Sequence, residues 1–311
     1  MDERGAPGGP VGEHRLDGTD PGWVTWRAAT AAELVADRVP IEASVDRRVE
    51  SNRRWWDQMV PIHAASPFYD VERFRAGGLS LDEIERGEVG DVRGQSLLHL
   101  QCHFGLGTLS WARLGARVTG VDYSAPAIEL ARRLAAELGL EARFLCSDLY
   151  ELPDRLQERF DVVFTSYGVL TWLPDLARWG ETVAGLLRPG GRLHLVELHP
   201  FAGMFDDETT EVRLRYPYFR GAEAIRIERP GSYAAPAAPT DLQVTYSWPA
   251  PVSAVLGALV DAGLRIESFR EFGSCGEQLR PWLVLGPDGR WTAPPGWPAV
   301  PLLYALRARA G

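Results

Sequence analysis

An alternation constrains this chain more than any other feature. Between residues 96 and 197 lie five short apolar runs: Ser96–Leu100, Arg117–Val121, Ala142–Cys146, Asp161–Thr165 and Gly191–Glu197. Stretches of helical period separate them, starting near Gly107, Ala125, Leu152, Leu173 and, after a gap, Pro251. Short apolar strands spaced by helices imply βαβ units around a parallel sheet. The predicted fold class is therefore α/β. Local punctuation agrees: Ser124 and Pro126 mark a helix start, and Gly139 marks its end. The RPGG run at 188–191 is a tight turn feeding the fifth strand.

Beyond the alternation, Leu264–Phe272 and residues 302–310 read as two further strands. Residues 201–245 read as an inserted, mostly β excursion, and 273–300 as a Trp/Pro-rich loop. Residues 1–29, rich in Gly, Pro and charge, are predicted to be a disordered tail. Residues 30–94 carry helical patterning and are predicted to form a cap or lid, leaving 95–311 as the main domain.

Composition excludes several function classes. The net charge of −9 argues against a nucleic-acid backbone as partner. All 33 basic residues are Arg, so Schiff-base chemistry on a lysine is excluded. Cys102, Cys146 and Cys275 are odd in number and widely spaced, which fits neither a zinc pattern nor a disulfide framework. No run has transmembrane length, and the N-terminus lacks a basic-then-apolar signal pattern. The expectation is a cytoplasmic protein, monomer or homodimer, with a small-molecule substrate, no metal, no membrane and no nucleic acid.

An open parallel sheet binds ligands outside the carboxyl ends of its strands. Those ends carry Gln101 to Gly107, Asp122, Asp148, Thr165 to Gly168, and Glu197 with His199. Asp122 lies one helix and one strand after Gly105, where a carboxylate can accept from two ribose hydroxyls. Asp148 can accept from an exocyclic amino group. The loop LLHLQCHFGLGT lacks the third glycine of a dinucleotide fingerprint, since Ser110 stands there, and no lysine is available for a P-loop. It suits a nucleoside without phosphates.

The runs LLHLQCHFGLGTLSWARLGARVTGVDYSAPAIELARRL, FDVVFTSYGVLTWLPDLARW and LLRPGGRLHLVELHP resemble the class I S-adenosylmethionine-dependent methyltransferases. Within that family the chain is most similar to a bacterial subgroup whose first motif reads LQCHFG rather than DLGCGTG. The resemblance implies a Rossmann-like, seven-stranded, mostly parallel sheet with its last strand antiparallel. It implies S-adenosylmethionine held by Gln101, His103, Gly105, Asp122, Tyr123, Asp148, Leu149 and Thr165. In this chain His99 stands where many members are acidic, and Gln101 and His103 replace glycines.

Methyl transfer needs an in-line nucleophile, exclusion of water and, for a protonated acceptor, a base. His199, Tyr167 and His63 are the candidate catalytic residues. Trp56, Tyr69, Trp172, Glu197 and Trp248 are the candidate substrate contacts, drawn from a chain with eleven tryptophans. The predicted activity is methyl transfer to a small-molecule acceptor. Two alternatives stay open: a non-methylating use of the same cofactor that releases methylthioadenosine, and a non-catalytic cofactor-binding regulator.

Overall fold

The computed structural model describes residues 41–221 and 223–311. The predicted tail and the helical patterning at 30–40 lie outside the described residues. In chain order the helices are α1 (Ile41–Ala64), α2 (Val71–Arg75), α3 (Glu83–Val89), α4 (Leu106–Arg113), α5 (Ala125–Leu138), α6 (Leu152–Arg155), α7 (Leu176–Leu186), α8 (Pro200–Gly203) and α9 (Val252–Asp261). The strands are β1 (Ser96–Leu100), β2 (Arg117–Asp122), β3 (Ala142–Cys146), β4 (Phe160–Ser166), β5 (Leu187–Leu198), β6 (Ile225–Glu228), β7 (Val244–Ser247), β8 (Arg265–Phe272), β9 (Ser274–Cys275), β10 (Val284–Leu285), β11 (Trp291–Thr292) and β12 (Leu303–Arg309).

Seven strands form one sheet in the order β3-β2-β1-β4-β5-β12-β8. β1 pairs parallel to both β2 and β4, so strand order reverses at β1. β12 runs antiparallel to both its neighbours, β5 and β8. This is the predicted Rossmann-like topology. A crevice opens where order reverses, because the crossover helices leave β1 on opposite sides.

The helices form where the apolar period is 3.6 residues. On α5 the buried residues Ala127, Ile128, Ala131, Leu134 and Ala135 share one face. Ser124 caps it by accepting the Ala127 N–H, and Gly139 ends it in the left-handed conformation. On one side of the sheet Leu98, Val163, Leu193 and Leu195 pack against Trp179 and Val183 of α7 and Leu259 of α9. Full burial of each such side chain contributes about 2 kcal/mol. α7 and α9 approach closely because Gly180 leaves room for the Ala258 carbonyl. On the other side Leu106 and Leu109 of α4 pack with the α5 face around Phe104 and Phe144.

Two expectations are corrected. Residues 273–300 are not simply a loop: β9, β10 and β11 form a small antiparallel sheet in the order β10-β11-β9. Its strands are two residues long, too short for any alternation to register. Residues 201–245 hold less β structure than expected, with α8 and a single two-stranded ribbon, β6–β7. The ribbon is carried by α1. Asn52 donates to the Tyr246 carbonyl and accepts the Tyr246 N–H, both at 2.8 Å. Ser51 donates to the Val244 carbonyl at 3.1 Å. Pro61 removes an N–H from the last turn of α1, leaving the Asp57 carbonyl without its helical partner.

Candidate active site

The loop after β1 reaches the position predicted for it by an unusual backbone path. Gln101 and His103 have φ of 52° and 51°, the left-handed region in which a side chain costs about 1 kcal/mol or more. These are the two positions at which the resembled family carries glycine. Neighbouring bonds hold the path. The Cys102 N–H donates to the Val121 carbonyl at 2.9 Å, and the Gly105 N–H to the Cys102 carbonyl at 3.0 Å. The His103 N–H donates to Asp122 Oδ2 at 2.8 Å. Gln101 Nε2 donates to the Val169 carbonyl at 3.1 Å, tying the loop to the β4 exit.

Gly105 caps α4 at φ 82°. A Cβ there would lie 2.8 Å from the Phe144 ring and 2.9 Å from Ala131 Cβ, so only glycine fits. His99 is buried and bonded through Nδ1 to Thr108 Oγ1 at 2.9 Å; burial holds its pKa down at about 3, so it is neutral.

Asp122 ends β2, buried, its Oδ1 accepting the Ser124 N–H at 2.9 Å. Burial raises its pKa to about 6, and the charge of Asp57 on α1 pushes in the same direction. Tyr123 beside it is held well above its ordinary value by burial and then by Asp122. Asp148 accepts the Tyr150 N–H at 2.8 Å and caps the turn it begins; burial raises it. Leu149 and Thr165 are buried in the core beside these ends.

α1 packs against this loop. Trp56 meets the His103 ring edge-on at 5.2 Å and the Trp172 ring at 5.3 Å. Trp55 stacks on Trp172 at 5.9 Å. His63, fully buried at the end of α1, bonds His103 Nε2 at 3.0 Å and Ser232 Oγ at 2.8 Å. Burial lowers its pKa to about 4, so the ring is neutral. Tyr69 stacks on His63 at 5.2 Å, and its hydroxyl is bonded to that of Tyr233.

A cavity of about 180 Å³ lies beyond this loop, at the exits of β4 and β5. Leu170, Ile225, Ile227, Pro217 and Tyr218 give it apolar walls; Thr171, His199, Asp207, Tyr216 and Arg280 give it polar ones. Glu197 also reaches its wall, with a carboxylate taken up by backbone: it accepts the N–H groups of Gly168, Val169 (2.9 Å), Leu170 (3.0 Å) and Leu198 (2.6 Å).

His199 caps α8, its Nδ1 accepting the Phe201 N–H at 3.1 Å. Its Nε2 lies 3.0 Å from Glu271 Oε1, an ion pair only when the ring is protonated. With Nδ1 accepting, the neutral ring carries its proton on Nε2. Tyr167 has φ 46° and does not line the cavity. Its hydroxyl is buried without a partner among the described residues, and its side chain packs against the apolar cluster that includes Trp282 and Cys275. Trp248 is buried and does not line the cavity; its backbone N–H is bonded to the Thr171 carbonyl at 2.8 Å.

The structure thus gathers Gln101, His103, Asp122, Trp56, His63 and Tyr69 at one loop. It sets His199 and Glu197 at the cavity and turns Tyr167 away from it. Sequence reasoning missed Asp57, Ser232, Tyr233, Asp207 and Arg280. Asp57 stands four residues after Arg53 and reads as one half of a surface pair. Arg280 carried a signal: it is the lone charge in LRPWLVL.

The sheet order is the one that the resemblance to the class I S-adenosylmethionine-dependent methyltransferases implies. Residues 97–191 match a family described as a methyltransferase domain. Over 140 residues the chain is 34% identical to a ubiquinone biosynthesis O-methyltransferase of Alkalilimnicola ehrlichii, a match covering 45% of this chain and 53% of that protein. Over 145 residues it is 32% identical to the protein of the same name from Aeromonas salmonicida, covering 46% and 56%. The chain spans about half the length of the curated relatives it matches. In fold it is similar to a putative S-adenosylmethionine-dependent methyltransferase of Listeria monocytogenes, with a TM-score of 0.52, 15% identity, and coverage of 73% of this chain and 96% of that one. Among the described residues no helix is long and apolar enough to cross a membrane.

Proposed function

We propose that this chain binds S-adenosylmethionine at the β1 loop and transfers its methyl group to a small molecule held in the cavity at the β4 and β5 exits. The observation that carries the reading is the left-handed Gln101–Gly105 loop bonded to Asp122 at the switch point of the sheet. When bound, the cofactor supplies an electrophilic methyl group on a sulfonium.

The residues fit such a ligand. Gln101 Oε1 and Asp57 Oδ1 are buried acceptors with no partner among the described residues, suited to an ammonium group and to ribose hydroxyls. Each Asp122 oxygen already takes one N–H and can take another donor. Tyr123, Asp148, Leu149 and Thr165 are assigned to the adenine side. The rings of Trp56, Tyr69 and His103 surround the loop, and aromatic faces there favour a cation. α1 and the Ser232–Tyr233 segment act as the lid, with His63 as the clamp that joins it to the loop.

At the acceptor side Glu197 holds the 168–170 backbone, and Trp172 with Trp248 supports the wall. His199 is a positioning residue in this reading, because neither of its nitrogens is a vacant acceptor. The favoured acceptor is one whose nucleophile is ionised near neutral pH, since it needs no base.

The test is a coproduct assay. The protein is incubated with S-adenosylmethionine, alone and with pooled metabolites, and nucleosides are followed by mass spectrometry. Acceptor-dependent S-adenosylhomocysteine, with an acceptor heavier by one CH₂, is the expected result. Methylthioadenosine formed without any acceptor overturns it.

A further inference from the structure

The cavity at the β4 and β5 exits carries an asymmetry of charge. Its carboxylates are occupied. Glu197 is saturated by backbone N–H groups. Asp207 is paired with Arg229 and accepts the Tyr216 hydroxyl at 3.1 Å. The cation is not matched. Arg280 lies within 4 Å of no carboxylate among the described residues. Its Nε donates to the Ala202 carbonyl at 2.9 Å, and its Nη1 to the Leu279 carbonyl at 2.6 Å. Those two bonds fix the plane of the guanidinium and leave Nη2 without a protein partner among the described residues, at the cavity wall. Burial works against the charge of Arg280, and the field of the nearby Asp207 only partly offsets that. A guanidinium retained there, rigid and with one edge unmatched, is built to receive an anion.

We propose that the acceptor is a small carboxylic acid whose carboxylate docks on Arg280, with its apolar body against Leu170, Ile225 and Ile227. The size of the cavity supports the second half. A dry cavity of about 150 Å³ holds one benzene ring, and this one measures about 180 Å³. One ring, or an aliphatic chain of similar bulk, fits beside the carboxylate. This inference rests on the methyl-transfer reading only for the word acceptor; anion binding is measurable without turnover.

The test therefore reads binding. The full chain, with and without S-adenosylhomocysteine, is titrated calorimetrically with benzoate, phenylacetate and 4-hydroxybenzoate, and with the neutral amide of each. At least one acid is expected to bind about tenfold or more tightly than its amide. In Arg280→Gln the acid is expected to fall to the level of the amide while the amide is unchanged. Arg280→Lys, which keeps the charge but not the fork, restores part of the preference. Equal binding of acids and amides, or no saturable binding by any acid, overturns the proposal. If Arg280→Gln does not fold, the wild-type comparison of acid with amide, and its weakening by salt, decide alone. Bound S-adenosylhomocysteine without a preference for acids sinks this inference but spares the methyl-transfer reading. A preference for acids in a chain that binds no S-adenosylhomocysteine does the reverse.

Discussion

The His103 N–H donates to Asp122 Oδ2 at 2.8 Å, so the loop after β1 is held by the same carboxylate that we propose as the ribose acceptor. The loop needs that hold, because its path runs through two side-chain-bearing residues at positive φ. In the proposed function Asp122 therefore couples cofactor affinity to loop order, with its charge state acting on both.

Cofactor affinity is expected to fall in mild acid for this reason. Burial raises Asp122 to about 6 from an ordinary 3.8. Between those values the folded state keeps a proton that the unfolded state has lost. Ionising Asp122 therefore lowers stability as pH rises through about 4 to 6. Ribose binding has the opposite sign, because the anion is the better acceptor. The dissociation constant for S-adenosylhomocysteine, measured by calorimetry, should rise as pH drops from 7 to 5. Asp122→Asn should weaken binding by about tenfold or more at pH 7 and flatten the profile. A variant with the wild-type slope would move the titration to another group.

Gly105→Ala is expected to destabilise the fold by about 3 kcal/mol or more, from overpacking together with a left-handed alanine. The added methyl would meet the Phe144 ring at 2.8 Å. Phe144→Leu in the same chain should recover part of the loss, because it opens the space but leaves the φ of 82°. Urea unfolding of the single and double variants measures this; no recovery at all would mean that backbone strain is the whole effect.

Gln101 and His103 reverse the usual ranking of glycine and alanine. At φ near 50° alanine keeps the strain and loses the side-chain bond, whereas glycine relieves the strain at an entropic cost of about 1 kcal/mol. Gln101→Gly is expected to be within about 1 kcal/mol of wild type, and Gln101→Ala lower than either. Both should weaken S-adenosylhomocysteine binding, because both lose Oε1, an acceptor without a protein partner. Equal stabilities for the two variants would show that the loop relaxes out of the left-handed region once the bond to Val169 is gone.

What the sequence carried and what it hid follow from the range of the interactions. Strand runs, Ser124, Gly139 and the switch-point loop are local signals with a period or a cap, and each lies where the spacing puts it. Asp122 was legible because one helix and one strand of ordinary length bring it back beside Gly105. Asp57, Ser232 and Arg280 were not, since Asp57 faces Asp122, Ser232 bonds His63 169 residues away and Arg280 bonds the Ala202 carbonyl 78 residues away, and no repeat marks them. Tyr167 shows the same limit in another form. It stands at the right strand end, but its side chain packs into the apolar cluster that holds Trp282 and Cys275 and does not line the cavity. Glu197 was read as a substrate contact, and only the folded β4 exit reveals the N–H groups waiting for it.

Glu197→Gln tests whether that carboxylate builds the acceptor wall. One oxygen of the amide can still accept, but its NH₂ must face backbone N–H groups that now have no acceptor. Bonds to a charged acceptor contribute about 1.5–3 kcal/mol each, and losing two is offset in part because a neutral amide is cheaper to bury. The net expectation is a loss of about 2–4 kcal/mol. The change should be local. Amide hydrogen exchange at Gly168, Val169 and Leu170 should speed up by about tenfold or more, while that of Cys102 and Gly105 stays as in wild type. Loss of protection at both loops would mean that Gln101, through its bond to the Val169 carbonyl, carries disorder from the acceptor wall into the cofactor loop. Unchanged protection at 168–170 would remove Glu197 from the account of the cavity altogether.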